Sequence, residues 1–369
     1  MRVNVLKSER KSNVPRQHHY ISKSYLKYFT PNHSEDEKLH VFDQKNHKVF
    51  CTRPVNVAKE LDYFWMEPTP QMPDPYQLEY DIGQTESQFE EVVRHLLKCE
   101  HLPPSYSEPH KTLIYNIARL MATSPGMRDF IRKSSDRYLK SMMNTQTASE
   151  DSYLQVMAAA GCSELIKNLT YKQFRCFVEA EDEYQFQMDH SYVVYLQVKQ
   201  ILDYATLLES KHWHMAFAKG NDEYFATCDS PVNLMPSEWT PPDQIPLRKG
   251  ASLDTYVFLF PLTSKIMMIG EPSPKNRGRT LNMTREFVGI HNSCTIIQAY
   301  RHAFLPSQSV LLANNDSLGL VNFLEGPCDV ECTQKTLDRY QRYRLVARAQ
   351  NRNDKLREAR RELKRAFNG

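Results

Sequence analysis

The chain reads Pro15-Arg16-Gln17-His18-His19-Tyr20-Ile21 close to its start, and Tyr25, Leu26 and Phe29 follow at once. Two adjacent histidines beside an arginine and a tyrosine bring together groups that transfer protons, bind metals and bind anions. Neighbouring residues of an extended segment point to opposite faces, so at most one of the two imidazoles faces a given site. The apolar spacing that follows predicts a short extended stretch leading into a helix.

A second polar cluster reads Thr227-Cys228-Asp229-Ser230-Pro231-Val232-Asn233 and follows a predicted strand. Side chains at the exit of a strand are held rigidly and can meet solvent and ligand. Asp229 could orient a histidine or bind a metal, or it could cap the turn, which is the commoner use on local grounds. The histidines have a structural alternative as well, because a hydrogen-bonded pair would anchor the N-terminal segment. We expect the rest of the chain to bring the two clusters together.

Composition predicts a folded globular protein. The 369 residues are 41% hydrophobic and 25% charged, and the 21 prolines against 11 glycines favour helices joined by Pro-marked loops. The chain shows no apolar window long enough to cross a bilayer and no apolar run after its basic, polar start, so we expect neither a membrane span nor a signal peptide. Its eight cysteines are scattered, which predicts reduced, mostly buried thiols and a cytoplasmic location. Cys328 and Cys332 are the one close pair and a weak zinc candidate.

Charge is distributed unevenly along the chain. Residues 335–369 carry twelve Lys/Arg against four Asp/Glu, a balance of +8, and the net charge of +3 leaves −5 for the preceding part. A basic tail on a mildly acidic body can bind nucleic acid or an acidic protein partner. The solvated face of a helix is the commoner explanation of such a run.

Strand and helix patterns occupy separate blocks. The strands predicted by alternation are Leu39–Asp43 and Lys48–Cys51 as a hairpin, Trp213–Ala218 and Tyr224–Cys228 as a second hairpin, and Tyr256–Pro261 with Lys265–Gly270. Helical periodicity covers 81–209, with a break at Ser124-Pro125-Gly126, and returns at 284–301 and 334–367. This order predicts an α+β fold in which an N-terminal hairpin and a short antiparallel sheet pack with a helical bundle.

We predict three segments from these patterns. Residues 1–15 form a flexible basic lead-in, 16–333 form a single composite α+β domain with a helical middle (81–209), and 334–369 form a long basic C-terminal helix.

Other polar residues are weaker candidates for chemistry. His212 and His214 are spaced i, i+2 on a predicted strand, which puts both on one face and within reach of one metal ion, although two ligands do not make a site. Arg301 is a candidate for binding an anion, and Asn292 for a structural hydrogen bond. The chain lacks the sequence motifs of P-loop NTPases, dinucleotide enzymes, zincins and nucleophile-elbow hydrolases.

These residues resemble a bacterial family known as domain of unknown function 4238. The matching segments are Arg16–Tyr20 with Tyr25, Leu26 and Phe29, then Leu39–Asp43, Asn56–Glu60, Thr227–Val232, Phe260–Thr263, and His291-Asn292 with Ala299 and Arg301. The resemblance runs in order from about residue 16 to 307. Cys228 and Ser230 depart from the family's Ser and Asn, and an arginine of the family's Arg-Thr-Pro motif is absent from Ala122–Pro125 or displaced to Arg119 or Arg128. The resemblance implies that the two polar clusters belong to one recurrent pattern, and it assigns no activity.

The hypothesis that follows is a cytosolic hydrolase of phosphodiesters, similar to a nuclease. Its predicted catalytic residues are His18, His19 and Asp229, and its predicted substrate-binding residues are Arg16, Tyr20, Asn292 and Arg301. A divalent metal is a candidate cofactor with no assigned ligands, and the basic C-terminal helix would add affinity for a nucleic-acid backbone. The alternative is a non-catalytic module that binds nucleic acid or protein, in which the His-His-Tyr stretch is structural.

Overall fold

A computed structural model describes residues 16–159, 169–236, 253–273, 280–314 and 317–322. Its N-terminal and helical elements are β1 (Gln17–His19), α1 (Lys23–Leu26), β2 (Leu39–Asp43), β3 (Lys48–Thr52), β4 (Lys59–Leu61), α2 (Gln77–Cys99), α3 (Glu108–Ala122), α4 (Pro125–Gln146), α5 (Glu150–Ala159), α6 (Tyr171–Glu179) and α7 (His190–Glu209). The remaining elements are β5 (His212–Phe217), β6 (Thr227–Cys228), β7 (Asn233–Pro236), β8 (Tyr256–Pro261), β9 (Ile266–Glu271), β10 (Thr280–Asn282), α8 (Arg285–Gln298), β11 (His302–Leu305), β12 (Ser309–Asn314) and β13 (Ser317–Asn322). The predicted α+β class is confirmed.

Local capping explains where the central helices begin. Ser107 caps α3 by accepting a hydrogen bond from the N–H of His110, and Ser124 caps α4 by accepting one from Met127. Pro125 occupies the first position of α4, where its missing N–H leaves no helical bond unmade. The break predicted at Ser124-Pro125-Gly126 is therefore confirmed, and it places the first turn of α4 beside the loop after β6.

The strands of the described residues form four sheets, of which β1-β4 and β12-β13 have two strands each. The sheet with order β3-β2-β11-β6 contains the predicted N-terminal hairpin, with β2 pairing antiparallel to β3 and to β11. The five-stranded sheet has the order β10-β5-β9-β8-β7; its pairs are antiparallel except β10 with β5, which are parallel. The predicted pair of strands β8 and β9 is confirmed.

The predicted hairpin between Trp213–Ala218 and Tyr224–Cys228 is wrong. β5 pairs with β9 and β10, whereas of the second segment only Thr227–Cys228 is a strand, and it pairs with β11 in the other sheet. The reason is burial, since Trp213 to Ala216 are all buried and a central strand needs a partner on each side. Alternation identifies a strand, but it does not identify the partner.

The main core joins the N-terminal segment to both sheets. Tyr25 is fully buried, stacks on Phe260 with ring centroids 5.4 Å apart, and donates its hydroxyl to the carbonyl of Pro261 at 2.6 Å. The same hydroxyl lies 2.9 Å from the hydroxyl of Thr227. The segment after the histidines is therefore held between β8 and β6, close to Asp229.

Three further predictions have separate outcomes. No helix in the described ranges combines the length and apolar content that a bilayer crossing requires. The expectation of mostly buried thiols is wrong for the cysteines that the structure describes: Cys51 and Cys176 are exposed, and Cys228 is the fully buried one among them. The lead-in 1–15, the helix 334–369 and the pair Cys328 and Cys332 lie outside the described residues.

Candidate functional site

The two histidines occupy opposite faces of β1, as the extended geometry predicts. β1 pairs antiparallel with β4, and His18 lies opposite Glu60. His18 is fully buried, while His19 is partly exposed. The pairing fixes which imidazole enters the interior.

His18 lies in an aromatic pocket. Its ring stacks on Phe64 at 6.2 Å between centroids and meets the edge of Tyr76 at 5.8 Å. The backbone N–H of Phe64 donates to its Nδ1 at 2.9 Å, so Nδ1 is the unprotonated nitrogen of a neutral imidazole. One carboxylate oxygen of Glu79 is 4.0 Å from the same nitrogen.

His19 makes a backbone contact at the edge of the fold. Its Nε2 donates to the carbonyl oxygen of Val55 at 3.3 Å. Burial lowers the pKa of His19, and this hydrogen bond opposes the shift. The contact anchors β1 to the segment before β4.

Asp229 is fully buried and has all its hydrogen bonds with backbone N–H groups. Oδ1 accepts from Tyr300 at 2.7 Å, and Oδ2 accepts from Arg301 at 2.7 Å and from His302 at 2.8 Å. We call this arrangement the Asp229 cradle. Burial raises the pKa of Asp229 to about 6, and the three hydrogen bonds oppose the rise. The carboxylate closes the turn between α8 and β11.

Arg301 and Asn292 lie next to this cradle in different roles. The guanidinium of Arg301 is half-exposed and donates to Asp43 through Nε and Nη2, each at 3.3 Å. Asn292 is fully buried; it accepts from the N–H of Ala226 at 2.8 Å and donates to the carbonyl of Tyr224 at 2.8 Å. Asn292 thus holds α8 to the strand that leads to Asp229.

Arg16 and Tyr20 complete the predicted set. The exposed Arg16 pairs with both carboxylate oxygens of Asp62, which raises the pKa of the guanidinium. Tyr20 is buried and packs on Tyr63 at 5.2 Å. Its hydroxyl pKa is raised by burial first and by the negative charge of Asp229 next.

A group of partly buried charged residues lies next to His18, between α2 and α3. Glu79 and Glu86 stand seven residues apart on one face of α2, and Arg119 projects from α3. Nη2 of Arg119 is 2.9 Å from a carboxylate oxygen of Glu86. We call these three residues together with His18 the charged cluster.

The charged cluster is only partly satisfied. Arg119 is 2% exposed, yet its Nε and Nη1 have no hydrogen-bond partner among the described residues, and neither does Oε2 of Glu79. The side chains of Glu79 and Glu86 are 27% and 18% exposed, whereas the three unpartnered atoms are shielded from solvent. Buried polar atoms without a partner are rare in folded proteins, and such donors and acceptors can bind a ligand.

Burial raises the pKa of both glutamates. Burial raises the pKa of Glu79 to about 7, the charge of Glu86 adds to the rise, and Arg119 opposes it. Burial also raises the pKa of Glu86, against the attraction of Arg119. A carboxyl group that titrates near neutral pH can accept and return a proton at that pH.

Arg119 and Arg128, the two positions considered for the displaced family arginine, are both buried and differ in their contacts. Arg128 lies 3.3 Å above the ring of Tyr63 and donates to Gln197 at 2.9 Å and to the carbonyl of Tyr63 at 2.8 Å. Arg128 therefore uses its donors in hydrogen bonds within the protein, whereas Nε and Nη1 of Arg119 have no hydrogen-bond partner among the described residues.

The pair His212 and His214 lies on one face of β5, as its spacing predicts. His214 is buried, and burial lowers its pKa. Within the described ranges no three His, Cys, Asp or Glu side chains form a group that could hold a metal ion.

The structure brings some predicted residues together and adds others. Asp229 and Arg301 lie at the end of α8 and Asn292 lies within it, whereas His18 belongs to the charged cluster. Arg16, His19 and Tyr20 make separate contacts, with Asp62, Val55 and Tyr63. Glu79 and Glu86 were missed, because acidic residues on an amphipathic helix are usually solvated. The signal that could have identified them is their spacing of seven residues. This spacing puts both carboxyl groups on the same face of α2, the face that packs against the buried side of a second helix.

The family resemblance is confirmed by comparison with known proteins. A family model described as a protein of unknown function matches residues 17–309, which include the first polar cluster from Gln17 onward, the second polar cluster and the charged cluster. No curated protein and no solved structure matches the chain. The chain belongs to the DUF4238 family.

Proposed function

We propose that this protein is a hydrolase that cleaves phosphodiesters by acid–base catalysis at the charged cluster. The observation that carries the proposal is Glu79, whose pKa of about 7 occurs in a partly open position beside a buried arginine with two unpaired donors. The proposal keeps His18 from the predicted site and adds Glu79 and Arg119. It also keeps the cytoplasmic location expected from the sequence.

The reaction uses Glu79 as a general base. As a carboxylate it takes a proton from an attacking water, whose oxygen forms the new bond to phosphorus. The bond from phosphorus to the leaving oxygen, on the opposite side of phosphorus, then breaks. A solvent water protonates that oxygen and Glu79 releases its proton to solvent, so the enzyme ends in its starting state. The products are a phosphomonoester and an alcohol.

The other cluster residues have supporting roles. Nε and Nη1 of Arg119 lie on different edges of the guanidinium, so one of them is suited to donate to a non-bridging phosphate oxygen, where charge develops in the transition state. Glu86 holds Arg119 through its ion pair at 2.9 Å. His18 lies 4.0 Å from Glu79 and limits the positions open to that carboxylate.

The roles predicted for His19, Asp229, Arg16, Tyr20, Asn292 and Arg301 stay predictions. The bonding of Asp229 to three backbone N–H groups supports a positioning role, since a carboxylate held in this way has little freedom to move a proton. The same reasoning applies to His19 and the carbonyl of Val55.

A cleavage assay with a matched pair of variants tests the proposal. The full chain is incubated with labelled single-stranded RNA, single-stranded DNA and a chromogenic phosphodiester, with divalent metal ions and separately with a chelator. We expect Glu79→Gln to lower the cleavage rate by about a hundredfold or more. Glu91→Gln, an exposed residue of the same helix, should leave the rate unchanged.

The pH profile gives an independent measurement. Because the base form of Glu79 is required, the rate of the wild type should rise through about pH 7 and then level off. Cleavage by Glu79→Gln at the wild-type rate, or a wild-type profile without a transition near neutral pH, would contradict the assignment of Glu79.

A non-catalytic binding module is the second candidate, and it has an observation of its own. Both histidines bond to the backbone, His18 through the N–H of Phe64 and His19 through the carbonyl of Val55, which is how anchoring residues behave. Retention on immobilised nucleic acid that falls steeply with salt and survives Glu79→Gln, without turnover of any phosphodiester, would favour this candidate.

A further inference from the structure

Helix α4 carries a concentration of positive charge on a body that is otherwise mildly acidic. It contains five Lys/Arg and two Asp, and no Glu. Arg128 and Lys140 are buried, whereas Arg132, Lys133 and Arg137 are exposed. The exposed charges are therefore available to a ligand in solution.

Four positions of α4 fall on one face. Gly126, Phe130, Lys133 and Arg137 are spaced i, i+4, i+7 and i+11, which aligns them along the helix. We call them the α4 stripe. Phe130 is 56% exposed although it is a large apolar side chain. The stripe therefore presents one exposed aromatic ring followed by two exposed cations.

Tyr300 extends this stripe from the neighbouring loop. Its Cβ and Cδ2 atoms are 3.8 Å and 4.0 Å from the place that a Cβ atom on Gly126 would occupy, so the ring begins against the first turn of α4. Lys133, further along the same face, forms an ion pair with Asp129 at 2.7 Å. The ring of Tyr300 therefore lies next to the first position of the stripe, and Tyr300 is 52% exposed.

We propose that the α4 stripe and Tyr300 form a surface that binds single-stranded nucleic acid. Bases stack on Tyr300 and Phe130, and the phosphates between them contact Lys133 and Arg137. This inference deepens the proposed function, on which it rests for the choice of a phosphodiester ligand, because it names a single strand as the substrate class.

The chemistry of the surface favours a single strand over other polyanions. Every base has a flat face that can stack on an aromatic ring, and stacking is available only where bases are not already paired. An acidic peptide would use the cations and leave both rings exposed. A duplex presents its phosphates and covers the faces of its bases, so it gains nothing from Phe130 and Tyr300.

The test is equilibrium binding of the full chain to labelled oligouridylate and oligothymidylate, followed by fluorescence anisotropy at several salt concentrations. We expect Tyr300→Ala and Phe130→Ala each to weaken binding roughly tenfold, with an unchanged salt dependence. The double variant Lys133→Ala/Arg137→Ala should weaken binding and lower the slope of log affinity against log salt by about 1.4, since each lost phosphate contact removes about 0.7.

Two exposed residues of α7 serve as controls. Tyr192→Ala and Lys199→Ala remove an aromatic ring and a cation outside the α4 stripe, and neither should change affinity. A folded protein that binds neither oligonucleotide would overturn the proposal. So would stripe variants that bind like the controls, a duplex that binds as tightly as the single strand, or polyglutamate that competes as well as oligouridylate.

The outcome is separable from that of the proposed function. Binding is measured a second time on Glu79→Gln, which should retain full affinity because Glu79 is outside the surface. Retained binding without any cleavage by the wild type would support the surface and count against the hydrolase. Cleavage by the wild type, together with stripe variants that bind as tightly as the wild type, would support the hydrolase and count against the surface.

Discussion

The Asp229 cradle and the charged cluster are two buried carboxyl sites with the same electrostatic signature and opposite hydrogen bonding. Burial raises the pKa of Asp229 to about 6 and that of Glu79 to about 7. Asp229 accepts three backbone hydrogen bonds, whereas Oε2 of Glu79 has no hydrogen-bond partner in the part of the chain that the structure describes. A raised pKa therefore does not identify a reactive group by itself. In the proposed function, unused bonding capacity is what distinguishes Glu79, the proposed base, from Asp229, which supports the fold.

The largest effect is expected in the Asp229 cradle. Asp229→Ala leaves three backbone N–H groups without an acceptor in the interior, and each such group costs about 1 to 3 kcal/mol. We expect the free energy of unfolding in urea at neutral pH to fall by about 3 kcal/mol or more. Asp203→Ala, at an exposed position of α7, is the control and should change it by less than about 0.5 kcal/mol. If Asp229→Ala were as stable as the wild type, the Asp229 cradle would not support the fold, and its contrast with the charged cluster would be wrong.

A smaller, pH-dependent effect is expected from Arg119 in the charged cluster. Arg119→Met leaves Glu86 without its cation, so the pKa of Glu86 rises further and the folded state favours the protonated carboxyl. A carboxyl group whose pKa is raised in the folded state stabilises the fold while it is protonated. That stabilisation is present at low pH and is lost as the pH rises through the folded pKa. We expect a loss of about 2 to 3 kcal/mol at pH 8, measured by urea unfolding, and a smaller loss at pH 5.

The double variant Arg119→Met/Glu86→Gln is the matched control for that measurement. It removes both charges, so most of the loss at pH 8 should be recovered. A loss that is the same at both pH values, and that the second substitution does not recover, would show that packing and not charge explains the effect.

The smallest effect has the opposite sign. The folded pKa of Glu79 lies above its ordinary value of 4.5, so its protonated form stabilises the fold, and that contribution is lost between about pH 4.5 and pH 7. Gln is neutral throughout this range. After a discount for partial exposure, Glu79→Gln should be more stable than wild type by about 1 to 2 kcal/mol at pH 8 and equal to it near pH 4.5. A variant less stable than wild type at pH 8 would mean that Glu79 supports the fold, as Asp229 does.

The sequence was sufficient for features that depend on local spacing. The hairpin of β2 and β3 and the break before α4 follow from residues next to one another, since a polar turn and a Ser-Pro cap act within a few positions. β6 pairs with β11, which comes far later in the chain, so no pattern of neighbouring residues could predict this pairing.

The same limit applies to the candidate site. His18 stood out because two adjacent histidines are conspicuous in any sequence. Glu79 resembles every other acidic residue on the solvated side of a helix, and only the approach of α3 with Arg119 makes it unusual. Asp229 was recognised as either a reactive group or a cap, and counting its backbone partners required the loop at Tyr300.

The position of β11 in the sheet has a consequence for synthesis. β11 lies between β2 and β6, and His302 pairs with Asp43, so the first hairpin of the chain receives its neighbour almost at the end of the family domain. Until that strand leaves the ribosome, one edge of β2 has unpaired backbone groups beside the apolar Val41 and Phe42. The native sheet cannot be completed before most of the chain has been synthesised, and an unpaired strand edge with apolar side chains is prone to aggregation during that time.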